Sequence, residues 1–300
     1  MIMDTQFWWF YDALAAAVIL LVVILSARKG LVKSLMSFAG FLIAAVIAVS
    51  LSGGLGKAMQ DGMIQSENAK KISKNIENYK LENEVSLYLG TEFNRNVRTD
   101  SLKKIYESGK PFDEQIYRYV NNINGLKAAE KNEFYEVLHR CYADLTKDIV
   151  STELNTFAAE SAAKKVLENP ESFNELIPLL RNDETKTPAG KFIAEHYTAD
   201  AYTEMLSLVC LIAILIGVAA FTILLTKGLG NESVASQSLA SHAAGALVGI
   251  LKGAVVVFAI AVCVRLNVIL GNDRMMFFNH ASIDKTYVFK SFYDFVVNKF

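Results

Sequence analysis

The stretch MLSLVCLIAILIGVAAFTILLT, Met205–Thr226, carries 22 consecutive residues without a charge. As a helix it covers about 33 Å, close to the thickness of a bilayer's hydrocarbon core, and soluble proteins rarely bury an uncharged helix that long. Working outward, SHAAGALVGILKGAVVVFAIAVCV at Ser241–Val264 is apolar apart from Lys252, with Arg265 just beyond. These two bases are about 20 Å apart along a helix, so each can extend its aliphatic stem toward an opposite interface. Near the start, ALAAAVILLVVILSA at Ala13–Ala27 follows the aromatic cluster Phe7–Tyr11 and precedes Arg28 and Lys29. The aromatic belt lengthens this run to a full crossing. A cleaved signal peptide would carry its positive charge before the apolar run, not after it. A further apolar run, Leu35–Leu51, follows the short connection RKGLVK, which has room only for a hairpin turn.

Four spans are therefore expected, at about 8–27, 33–51, 204–226 and 246–269. The fold class is all-α: a four-helix transmembrane bundle of two hairpins, 1–52 and 204–270, with a polar helical insert at 53–203 and an aromatic amphipathic tail at 271–300. Composition agrees with this division. Of the 31 acidic residues, 25 fall between Lys57 and Glu204, as do all four prolines. Within the insert, Phe134, Leu138, Cys141, Leu145 and Ile149 recur every three or four residues, one apolar stripe on a charged helix. Helix boundaries are expected at SGKPFDEQ, ENPESFNE and KTPAGKF, where proline follows polar residues. The sequence GLGKAMQDG after the second run reads as the place where the chain leaves the membrane, because glycine tolerates the conformations that end a helix. In the tail, Val288 or Phe289, Phe292, Phe295 or Val296, and Phe300 fall at helical spacing, predicting a short helix packed on the bundle or lying at the interface.

Ser241, Gly245, Gly249 and Gly253 advance four residues per step along the fourth span. Each helical glycine costs roughly 1 kcal/mol against alanine, so the stripe needs a compensating role. In a bilayer, helices gain nothing hydrophobic by associating, and close backbone approach at small residues drives their packing. These four residues are the predicted helix-packing surface.

Side-chain chemistry is sparse. His139, His196, His242 and His280 are scattered, the three cysteines show no disulfide or zinc spacing, and neither a phosphate-binding glycine loop nor a nucleophile elbow occurs. No enzyme activity, metal or cofactor is expected. A net charge of −1 gives no footprint for nucleic acid. Asp12, one turn into the first span, is the carboxylate nearest the membrane interior. Such groups can mark ion pathways, but the amino end of its own helix offers a simpler stabilisation, by the helix dipole and water.

Two stretches resemble the colicin V production protein family. YDALAAAVILLVVILSARKGLVKSLMSFAGFLIAAVIA at 11–48 is similar to its first hairpin, with an Asp opening the first span, a basic residue and Gly in the turn, then a basic residue and Ser before the second span. GALVGILKGAVVVFAI at 245–260 resembles its last span. The positions carried over are Asp12, Lys29, Gly30, Gly249, Lys252 and Gly253. Lys29 and Lys252 stand where the family usually has arginine, and the insert replaces a short connection. The resemblance implies a bacterial inner-membrane protein associated with production or export of a peptide toxin and with envelope maintenance.

The expected function is that of a non-enzymatic membrane protein acting through helix packing and partner binding. Its partners would be the lipid bilayer, a second copy of the chain, or membrane and secretion proteins. The alternative is a small transporter or channel with a pathway near Asp12 and Lys252. Arg28, Lys29 and Lys33 favour a cytoplasmic first turn, with both termini and the insert outside. Lys227 and Lys252 bring that side to five bases, matched by Lys57, Lys191, Arg265, Arg274 and Lys285 opposite.

Overall fold

The computed structural model describes residues 8–109, 111–125, 127–227, 238–271 and 279–300. Arg274 and the rest of 272–278 lie outside them. In chain order the helices are α1 (Trp9–Met59), α2 (Gln65–Asn75), α3 (Leu81–Glu92), α4 (Thr99–Ser108), α5 (Phe112–Asn122), α6 (Lys131–Glu153), α7 (Thr156–Glu168), α8 (Glu171–Leu180), α9 (Thr187–Phe192), α10 (Ala199–Lys227), α11 (Leu239–Leu270), α12 (His280–Ile283) and α13 (Phe289–Lys299). The described residues contain no strand. Four segments are long and apolar enough to cross a membrane: Trp9–Lys29, Lys33–Asn75, Ala199–Leu224 and Leu239–Leu270. The chain forms two compact units, Met1–Met59 with Thr203–Phe300, and Gln60–Tyr202.

In the apolar unit α1 folds back on itself at RKGLVK, with a first arm at Trp9–Lys29 and a second at 33–59. A Cβ on Gly253 would lie 3.0 Å from the Ile19 Cα, while Lys252 Nζ donates to Ser37 Oγ at 3.0 Å. Summing the reach of these side chains places Ile19 and Ser37 within about 20 Å of each other. A straight helix would separate them by about 27 Å. The reversal falls near Leu31, whose N–H donates to Ser241 Oγ at 3.1 Å rather than only along its own helix. α11 runs antiparallel to the first arm of α1, pairing Ala27 with His242, Val23 with Gly249 and Ile19 with Gly253, and parallel to the second arm.

α10 packs on the second arm at two glycines. A Cβ on Gly40 would meet Thr222 Cγ2 at 2.7 Å, and one on Gly56 would meet the Ser207 backbone N at 2.6 Å. This corrects the reading of GLGKAMQDG. The glycines do not end the helix, which continues to Met59 before a π-helical turn at Gln60–Ile64. Gly56 is there because α10 comes too close for a side chain.

In the polar unit, helices α5, α8 and α9 begin beside Pro111, Pro170 and Pro188, at the three boundaries expected from proline. α6 is the central element: Phe134, Leu138, Cys141, Leu145 and Ile149 are all buried, and Tyr142 stacks on Phe173 with ring centroids 4.2 Å apart. Burial pushes the Cys141 thiol and the Tyr106 and Tyr142 phenols well above their ordinary ranges. α2 and α9 meet at Gly190, where a Cβ would stand 2.6 Å from the Ala69 carbonyl oxygen. Arg181 ties α8 to α3 and α4 through Glu82 at 2.5 Å and Glu107 at 3.4 Å. Glu114 receives Lys131, Arg118 and Tyr135, and these hydrogen bonds pull its carboxyl down to about 2.

Candidate functional site

The residues singled out from sequence fall in two places within the apolar unit. The first is the seam between α1 and α11. Gly245, Gly249 and Gly253 are buried there, and Ser241 lies at its turn end. At Gly249 a Cβ would stand 2.7 Å from the Val23 Cα and 3.0 Å from the Ser26 Cβ. Backbone therefore meets backbone, the arrangement in which van der Waals packing holds membrane helices together. Ser238 caps α11, its side chain accepting from Ser241 N–H, and His242 Nδ1–H donates to the Ala27 carbonyl at 2.8 Å.

Lys252 belongs to the same seam. It is only 7% exposed; its Nζ donates to Ser37 Oγ and stands 5.7 Å from the Phe41 ring centre. Its Cα lies about 17 Å along α11 from Ser241, whereas Ser37 lies at most about 9 Å from Leu31 along α1. The side chain thus extends back toward the turn inside the bundle, a buried form of the extension that keeps charged heads near an interface. Arg28 and Lys29 are exposed at that turn, and Gly30 is part of its helical backbone.

The second place is the opposite end, where the tail docks. Asp12 accepts hydrogen bonds from the N–H groups of Tyr287, Val288 and Phe289 at 2.8, 3.0 and 2.9 Å. It therefore caps α13 from the first turn of its own helix, where the dipole expected to stabilise it also acts. The physical reason is that the free N–H groups at the head of α13 are stronger partners for a carboxylate than water. Tyr11 stacks on Phe289 at 4.8 Å and Phe258 meets Phe295 edge-on at 5.8 Å, completing the contact. Between α13, α11 and the second arm of α1 runs an apolar groove of about 600 Å³, lined by Val46, Val49, Phe258, Phe292 and Phe295 among others.

Sequence reasoning missed the polar cluster beside this tail. Arg265 is 7% exposed and donates to Glu204 Oε1 through Nη2 at 2.6 Å and Nε at 3.1 Å. Its Nη1 meets His280 Nε2 at 3.2 Å, and Tyr293 OH reaches the same nitrogen at 3.2 Å. A guanidinium only donates, so Nε2 presents its lone pair. The signal available in sequence was a base and an acid at matching ends of neighbouring spans. Arg265 was read instead as reaching the interface alone. Among the described residues no three His, Cys, Asp or Glu side chains converge as metal ligands.

The segment that supplies Asp12, the basic turn and Ser37 can be compared with known families. Residues 11–76 match the model of the colicin V production protein family. The matched segment is about a fifth of the chain and holds both arms of α1 and the whole of α2. The stretch 245–260, whose resemblance to that family's last span was noted above, lies outside it. No curated protein and no solved structure matches the chain. The four apolar helices mark a membrane protein, and over residues 11–76 it is similar to the colicin V production family.

Proposed function

We propose that this chain is a non-enzymatic, multi-pass component of the bacterial inner membrane that serves toxin production or export and envelope maintenance by packing its own helices and binding membrane or secretion partners. The family match over the first two spans carries this reading. It is supported by the way the named residues are used: Gly249 and Gly253 against the backbone of α1, Asp12 on the tail, and Arg265 on Glu204. Each holds helices in place. The basic turn at Arg28 and Lys29 supports a cytoplasmic turn, with both termini and the insert on the far side.

A transporter remains the second reading, favoured by one observation: Lys252 is a buried charge within a membrane span, and such groups commonly line pathways. Secretion of a peptide toxin from cells carrying the intact chain, Lys252→Gln or a deletion, together with cysteine labelling of residues 100–190 from each side of the membrane, tests both. Secretion lost on deletion, with labelling from outside only, supports the proposal. Normal secretion without the chain refutes it. Reconstituted protein that moves ions or peptide, and stops doing so in Lys252→Gln, would replace it with the transporter.

A further inference from the structure

Lys252 has three N–H donors and, among the described residues, a single hydrogen-bond acceptor, the Ser37 hydroxyl, with the Phe41 ring beside it. No carboxylate of the described residues lies within ion-pair distance of it, and the turn toward which its side chain extends exposes two further cations, Arg28 and Lys29. A buried charge in a membrane bundle ordinarily pairs with an opposite charge. One turn of helix from Ser37, on the same face, Ser34 is fully buried and its hydroxyl has no hydrogen-bond partner. Ser37 accepts from Lys252, which leaves its own hydroxyl proton free to donate.

We propose that the side chains leading from Lys252 to the turn bind a phosphate-type oxyanion, with Lys252 Nζ and the Ser37 and Ser34 hydroxyls as inner donors and Lys29, exposed at the turn, as the outer cation. The chemistry fits: the Lys252 ammonium and two serine hydroxyls lie on the side of the bundle that leads to the turn, where Arg28 and Lys29 are exposed and headgroups lie, and no carboxylate of the described residues pairs with Lys252. Lysine is a common phosphate partner because its ammonium is a compact charge with freely rotating donors. The oxyanion has two sources, the headgroup of an anionic phospholipid or free phosphate.

The test uses the full-length protein in nanodiscs of phosphatidylcholine alone, of phosphatidylcholine with phosphatidylglycerol, and of phosphatidylcholine with inorganic phosphate in the buffer. Thermal midpoint is measured in all three, and retained phosphatidylglycerol by native mass spectrometry. A lipid headgroup site gives a higher midpoint with phosphatidylglycerol only; a free-anion site gives it with inorganic phosphate as well. In either case Lys29→Gln and Lys252→Gln abolish the rise and cut binding of the responsible anion about tenfold, Lys252→Arg keeps most of it, and Lys299→Gln on the tail has no effect. If Lys252→Gln does not fold, Lys29→Gln at its exposed position decides alone. Equal midpoints in all three preparations, or equal rises in wild type and Lys29→Gln, would overturn the proposal.

Discussion

Asp12 and Phe289 are 277 positions apart in the chain and joined by a 2.9 Å hydrogen bond, the Phe289 N–H donating to Asp12 Oδ1. With the bonds from Tyr287 and Val288, one carboxylate occupies the free donors at the head of the tail helix. Asp12→Ala should therefore destabilise docking of residues 287–299 by about 1–2 kcal/mol, the usual cost of losing a cap. Hydrogen exchange reads this directly. The tail amides should lose protection while those of α6 keep theirs, and Asp12→Asn, which retains one acceptor oxygen, should fall between.

Gly249 touches the Val23 backbone, so a larger residue has nowhere to go without separating α11 from α1. Gly249→Leu should lower the thermal midpoint and folded yield far more than Val256→Leu on the same helix. Overpacking costs roughly 1–3 kcal/mol, and more where backbone must move. Equal behaviour of the two variants would remove the glycine stripe as a packing surface.

Arg265 and Glu204 form a pair with side chains 9% and 16% exposed. Removing one partner leaves a charge without compensation in low dielectric, at about 3–5 kcal/mol. Glu204→Gln alone should therefore destabilise more than Glu204→Gln combined with Arg265→Met. A double-mutant cycle on detergent-solubilised protein checks the sign, and additive losses would show that the pair is not coupled.

Glu114 gathers Lys131, Arg118 and Tyr135, which hold its carboxyl at about 2 in the folded protein. A carboxyl depressed by folding contributes its stabilisation above its unfolded value, near 4.3, and loses it as pH falls toward the folded value. The stability advantage of wild type over Glu114→Gln should be constant above about pH 5 and shrink between about 4.3 and 2. Unfolding of the protein followed by circular dichroism through that window tests it, and a difference independent of pH would exclude the ion pairs as its source.

Gly190→Ala probes the polar unit in the same way. The added methyl meets the Ala69 carbonyl oxygen at 2.6 Å, and Ser73 crowds the same space. Separation of α9 from α2 should follow, seen as faster hydrogen exchange in 187–192 and 65–75.

Several of these relationships were legible before the fold was known, and the reasons differ. Long uncharged runs give spans because a bilayer imposes length and apolarity locally. Prolines 111, 170 and 188 mark helix starts because their backbone constraint is also local. The small residues of α11 announce close packing, although not against what. Long-range pairings leave at most a weaker trace, such as an acid and a base at matching ends of two spans. Asp12 on Phe289 and Arg265 on Glu204 depend on which helix ends come together, and nothing near Asp12 in sequence names its partner. Gly56 was misread because a glycine that ends a helix and one that admits a neighbour look the same in one dimension, and only the approach of Ser207 separates them.

The reversal of α1 has a further consequence. Because helical bonding runs into the turn from both arms, and Ser241 and His242 of α11 hold Leu31 and Ala27 on either side of Arg28 and Lys29, the connection has no slack to absorb an extra residue. One inserted residue would rotate the second arm by about 100° against the first. Ser37 would turn away from Lys252 and Gly40 away from Thr222 together. Spacing in this turn is thus a constraint of its own, separate from residue type, and length variants of RKGLVK should fail even where every side chain is kept.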